Sequence, residues 1–105
     1  MAKIVPLQLT AHQALKAIRE VAQDSSRVYF SDHARRRMRQ RKITTLQILK
    51  CLQKGTLAEG PAQSASGAWE MRVQCFIAGH YLHVPVVLET DSQGNFIIVI
   101  TAYWE

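Results

Sequence analysis

The spacing of the apolar residues changes partway along the chain, and that change restricts the fold more than any other feature. From Ala11 to Leu52 they recur at three and four residues, as helices with one buried face require. From Trp69 to Trp104 they alternate one for one or run continuously, as strands do. Helices first and sheet second predicts an α+β fold, with N-terminal helices packed on a C-terminal antiparallel β-meander. A chain of 105 residues fits one domain. We take it as residues 1–105, with residues 1–9 expected to form a flexible N-terminal segment.

Local signals place the elements. Thr10 with Gln13 is a capping-box pattern, and Ala14, Leu15, Ile18 and Val21 follow it at helical spacing until Asp24-Ser25-Ser26. A short β-run, Val28-Tyr29-Phe30, precedes a second helix over Asp32–Arg41, capped by Ser31 or Asp32. Thr44 with Gln47 caps a third helix, in which Ile48, Leu49 and Leu52 point inward and Gly55 takes the C′ position. Residues 56–67 are small and polar and read as a loop. Three strands follow: Trp69–Ile77, Tyr81–Glu89 with Pro85 marking a bulge or an edge, and a central strand Phe96–Trp104.

Charge is segregated along the chain. The net charge is +5, yet residues 27–54 hold nine Lys and Arg against Asp32 alone, while residues 55–105 hold Arg72 against five acids. Segregation of this kind fits a surface for phosphates, and points to nucleic acid. At ~100° per residue, Ala34 and Met38 form the core stripe of the second helix, with Arg35, Arg39 and Lys42 opposite. His33, Arg37 and Arg41 fall on one line beside that stripe, next to Arg36 and Gln40. Like charges four residues apart destabilise a helix by a few tenths of a kcal/mol per pair, about the size of one surface ion pair. The planar fork of Arg meets phosphate oxygens two at a time, and His33 is a group able to serve as general base or acid.

No apolar stretch reaches the ~20 residues of a membrane span, and the start lacks a signal-peptide pattern, so a cytoplasmic protein is expected. His12, His33, His80 and His83 lack a metal-ligand spacing, so neither metal nor cofactor is expected. Cys51 and Cys75 read as buried, reduced thiols. Arg72 is expected to pair with Glu70 or Glu89 across the sheet.

The run Phe30-Ser31-Asp32-His33-Ala34-Arg35-Arg36-Arg37-Met38-Arg39-Gln40-Arg41-Lys42-Ile43-Thr44 resembles the signature of the bacterial domain-of-unknown-function family 4258, roughly H-A-x-x-R-M-x-x-R-x-I-[ST]. Leu82-His83-Val84-Pro85-Val86-Val87 and Ile100-Thr101-Ala102-Tyr103 resemble its later strand motifs, so that the likeness extends over residues 28–104. Pro85 and the excess of Arg35, Arg36 and Arg39 depart from the motif. The resemblance implies a RelE-like or barnase-like fold that cleaves RNA without a metal. It also implies one site lined by His33, Arg37, Arg41, His83, Thr101 and Tyr103. There Arg37 and Arg41 hold the phosphate, with Arg36 and Gln40 beside them, and His33 and His83 move protons. Tyr103 and Thr101 position the phosphate or stack a base. Two other readings stay open: a non-catalytic nucleic-acid- or protein-binding module on this fold, and a toxin-like protein whose basic helix an acidic antitoxin segment covers. The oligomeric state is left open.

Overall fold

In the computed structural model, which describes residues 9–105, each N-cap read from the sequence starts a helix. Thr10 and Thr44 both make reciprocal capping boxes, with Gln13 and Gln47, and they start α1 (Ala11–Val21) and α3 (Thr45–Lys54). Ser31 caps α2 (Asp32–Arg41), accepting from the Ala34 amide. Between α1 and the first strand, the Asp24 side chain caps a short 3₁₀ turn, Ser25–Arg27. The expected flexible segment lies, Leu9 excepted, outside the described residues.

Six strands follow one another as β1 (Val28–Phe30), β2 (Thr56–Gln63), β3 (Trp69–Ile77), β4 (His80–Asp91), β5 (Gly94–Val99) and β6 (Tyr103–Trp104). They form one sheet in the order β1-β5-β4-β3-β2, with β6 on β4. Strands β3, β4 and β5 are the expected antiparallel meander, but the sheet is mixed, because β1 lies parallel to β5 with Val28 opposite Ile97. α1 and α3 cover one face. There Ile18, Ile48, Leu52, Val73, Leu82, Val84, Val86, Ile97 and Val99 are fully buried. A buried side chain of this size contributes about 1.5–3 kcal/mol, so this one face carries most of the fold's stability.

The sheet's other face is open. Tyr29 packs edge-on against Phe96, and Phe76 against Tyr81, yet Phe76 remains 62% exposed.

The structure corrects four expectations. Residues 56–63 are not loop: they form β2, an edge strand paired with β3 through two register shifts. Gly55 is not a left-handed C′ residue, since its φ of −77° and ψ of −174° are extended. Its lack of a side chain serves close approach instead, because a Cβ there would run into the carbonyl oxygens of Cys51 and Gln74. Phe96–Trp104 is not one strand. Val86 pairs with Val99, whereas His83, three residues back, pairs with Tyr103, four residues on. One extra residue in Ile100–Ala102 is therefore bulged opposite Pro85, whose carbonyl accepts from the Ile100 amide at 3.0 Å. Last, Cys75 is only half-buried, while Cys51 is fully buried. Burial, and then the neighbouring Cys75 thiol, push the Cys51 thiol well above its ordinary range.

Candidate nucleic-acid interface

Helix α2 is strapped along the bulged end of the sheet at both of its ends. At the start, the Ser31 amide donates to Val99 O at 3.1 Å and its hydroxyl to Ile100 O at 3.0 Å. At the finish, Arg41 Nη1 donates to Ala102 O at 2.7 Å, and Trp104 Nε1 donates to Arg41 O at 3.1 Å. Lys42 then turns the chain at φ 55°, and the Ile43 amide closes back on Met38 O at 2.9 Å. Ala34 and Met38 are buried as expected, which fixes the rotation of the helix.

That rotation leaves a run of cations facing out. Arg35, Arg36, Arg39, Arg41 and Lys42 are exposed. Arg35 lies 5.6 Å from the Phe30 ring centre, and Arg37, half-buried, donates to Gln40 Oε1 at 2.9 Å. Among the described residues the ion pairs are Arg27–Asp91, Arg72–Glu59 and His83–Glu105, so none engages a cation of the helix, whose single carboxylate is Asp32 in the first turn. The sequence expectation for Arg72 is corrected here: its partner is Glu59 at 3.3 Å, on β2, a strand that the sequence reading lacked.

Beside the helix, β6 carries Tyr103 over His83, with the rings 5.1 Å apart and 15° from parallel. His83 is 5% exposed, and its Nε2 lies 2.6 Å from Glu105 Oε1. Its Nδ1 is buried, with no hydrogen-bond partner among the described residues. The Glu105 side chain, by contrast, is 65% exposed. A carboxylate held by a buried imidazole can accept a proton from outside, whereas the imidazole reaches solvent only through it.

Of the residues singled out in the sequence, Tyr103 and His83 stack, and Arg41 is tied to the neighbouring Ala102 carbonyl, while Thr101 makes no side-chain hydrogen bond among the described residues. Arg36 and His33 sit on the exposed side of α2, and Arg37 and Gln40 pair with each other there. His33 is eight residues before Arg41, ~12 Å along the axis, and takes no part in the contacts around His83. The sequence reading missed Glu105, which lies just past β6, two residues after Tyr103, where its amide donates to Tyr81 O at 2.9 Å. It also missed a pocket of about 530 Å³ on the open sheet face, lined by Glu59, Glu70, Arg72, Pro85, Ile100 and Tyr103 among others.

Among the described residues, no group of three His, Cys, Asp or Glu side chains converges as metal ligands would. No helix among them is long and apolar enough to cross a membrane. Residues 30–104 match the family described as a domain of unknown function (DUF4258). No curated protein and no solved structure matches the chain.

Proposed function

The chain belongs to the DUF4258 family, and we propose that it binds RNA and cleaves it as a metal-independent endoribonuclease of RelE-like type. The observation that carries this reading is a helix whose arginines make no ion pair, tied through Arg41 to the Ala102 carbonyl just before Tyr103, which stacks on the His83 of the His83–Glu105 pair. Four exposed arginines without an ion pair on one short helix, with Lys42 at its end, repel one another in the free protein, and a polyanion repays that cost.

In this reading Arg41, and Arg37 beside it, hold the scissile phosphate and offset the charge that builds on its oxygens. Glu105 takes the proton of the 2′-hydroxyl as that oxygen bonds to phosphorus. The bond to the 5′-oxygen breaks, and the Tyr103 phenol supplies the proton that the leaving oxygen needs. The products are a 2′,3′-cyclic phosphate and a 5′-hydroxyl. His83 orients Glu105 and Tyr103 rather than meeting the substrate, since it is buried. His33 and Arg36 lie where the flanking strand would pass, and Thr101 stands beside the phosphate. On the RelE-like reading, an acidic antitoxin-like segment would cover the same helix.

A second reading, an RNA-binding module without catalysis, is favoured by the burial of His83. One experiment separates them. Purified protein is incubated in EDTA with an RNA pool and with DNA of the same sequences, alongside Glu105→Gln. The ribonuclease cleaves RNA alone, leaves cyclic phosphate ends, and loses roughly 10²–10⁴ in rate in the variant. Binding without cleavage leaves the module; equal cleavage by both proteins removes Glu105 from the chemistry.

A further inference from the structure

We propose that Cys51 and Cys75 form a peroxide-reactive dithiol, in which Cys75 is the site of oxidation and Cys51 closes a disulfide on it. Neither residue belongs to the proposed RNA site, so the proposal stands apart from that reading.

Independent contacts bring the two side chains together. On β3, Trp69, Met71 and Val73 are buried under the helices, and Cys75 continues their alternation, packed against the same core. On α3, Cys51 points into that core with Ile48 and Leu52. Its Sγ lies 3.8 Å from Leu82 O, and Leu82 is the residue directly opposite Cys75. Successive carbonyls of a strand point to opposite edges. Tyr81 O takes the Glu105 amide on the β6 side, so Leu82 O faces β3. The Cys51 sulfur therefore sits at the seam where Cys75 joins β4. Gly55 permits this approach, because a Cβ there would run into the carbonyl oxygens of Cys51 and of Gln74, the residue before Cys75.

The two thiols differ in the way such a pair requires. Cys75 is half-buried, so a small oxidant reaches it, whereas Cys51 is fully buried. Burial, and then the neighbouring Cys75, hold the Cys51 thiol protonated, so it does not attack a peroxide by itself. In the first step the Cys75 sulfur bonds to one oxygen of a hydroperoxide and the O–O bond breaks. Cys75 becomes a sulfenic acid, and the other oxygen leaves with the thiol proton, as water where the oxidant is hydrogen peroxide. In the second, the Cys51 sulfur attacks the Cys75 sulfur, and the S–O bond breaks as the S–S bond forms. The hydroxyl departs with the Cys51 proton as water, so the peroxide has taken two electrons from the pair of thiols. The disulfide ties the last turns of α3 to β3 and closes a loop that contains the whole of β2. Next along the ladder, Gln74 pairs with His83, so the modification lies one residue pair from the His83–Glu105 contact.

The test treats the full chain with excess hydrogen peroxide, blocks free thiols with iodoacetamide and digests with trypsin without reductant. Cys51 falls in the peptide Cys51–Lys54 and Cys75 in Val73–Glu105. The expected product is these two peptides joined, from protein that still runs as a single chain on a denaturing, non-reducing gel. Dithiothreitol should release them. Cys51→Ala should stop at the Cys75 sulfenic acid, trapped by dimedone, and Cys75→Ser should leave Cys51 unmodified. Three results would each overturn the proposal: oxygen acids on wild-type Cys75 without the cross-link, a Cys75–Cys75 disulfide between two chains as the main product, or oxidation of Cys51 in Cys75→Ser. The wild-type peptides decide the cross-link by themselves, so the test holds even where a variant fails to fold.

Discussion

If α2 meets RNA phosphates, the salt dependence of binding counts them. Five cations of the helix are exposed and unpaired: Arg35, Arg36, Arg39, Arg41 and Lys42. On single-stranded RNA each phosphate contact contributes a log–log slope of about −0.7, so contacts from these five alone give a slope near −3.5. Raising salt fourfold, from about 50 to about 200 mM, would then weaken binding roughly a hundredfold. Arg41 is a poor choice for mutation, because losing its bond to Ala102 O confounds binding with folding. Arg36→Gln and Arg39→Gln keep most of the stem and disturb no recorded hydrogen bond. Three residues apart, they are neighbours on the exposed side of the helix, so one bound strand can meet both. Fluorescence anisotropy of a labelled single strand across a salt series should show the slope flattened by about 0.7 in whichever variant lies under the strand. A wild-type slope shallower than about −1, or slopes unchanged in both variants, would refute the phosphate-facing assignment.

Four further outcomes are expected. Met38→Asp, which buries a charge against the core, should cost about 3–5 kcal/mol in denaturant titration, whereas Arg39→Asp should leave the midpoint nearly unchanged. Gly55→Ala should lose about 1–3 kcal/mol through its clash with two carbonyls, and Gly55→Asn more, the opposite of what a left-handed cap predicts. The hydrogen-bonded Arg27 holds the Asp91 carboxyl below its ordinary value of 3.8, so this pair stabilises the fold above that pH and the benefit fades as pH falls through the depressed value. The melting-temperature gap between wild type and Asp91→Asn should accordingly close in acid. Iodoacetamide at neutral pH should modify Cys75 and spare Cys51, read by mass spectrometry, because Cys51 is buried and its thiol is held protonated.

The helices were legible in the sequence because their signals are local. Thr10 with Gln13, and Thr44 with Gln47, are satisfied within one turn, and Ala34 with Met38 set the rotation of α2 without reference to anything distant. β3 and β4 were legible through strict alternation, since only one face of each meets the helices. β2 was not, because its stretch of small residues with Gly60 and Pro61 buries no regular face and is a strand only by virtue of β3. The parallel pairing of β1 with β5 joins residues about seventy apart, a distance at which no periodicity speaks. The site divided the same way. The cations of α2 could be read from spacing, whereas the tie from Arg41 to a backbone carbonyl, the Glu105 partner of His83 and the Arg72 pocket each join segments distant in the sequence.

The bulge between Val99 and Tyr103 has a consequence for chain length. In an unbroken strand, residues 99, 101 and 103 would point the same way, so Tyr103 would follow Val99 into the core. The one surplus residue inverts the alternation, which is why Tyr103 stands outside over His83 while Trp104 leans inward. Deleting any single residue from Ile100 to Ala102 would cancel the inversion, exchanging the two aromatic rings across the sheet with almost no change in composition. A substitution at these three positions, by contrast, preserves the count. The outer surface at this edge is encoded as a number of residues, and a scan of point variants would pass over it without a trace.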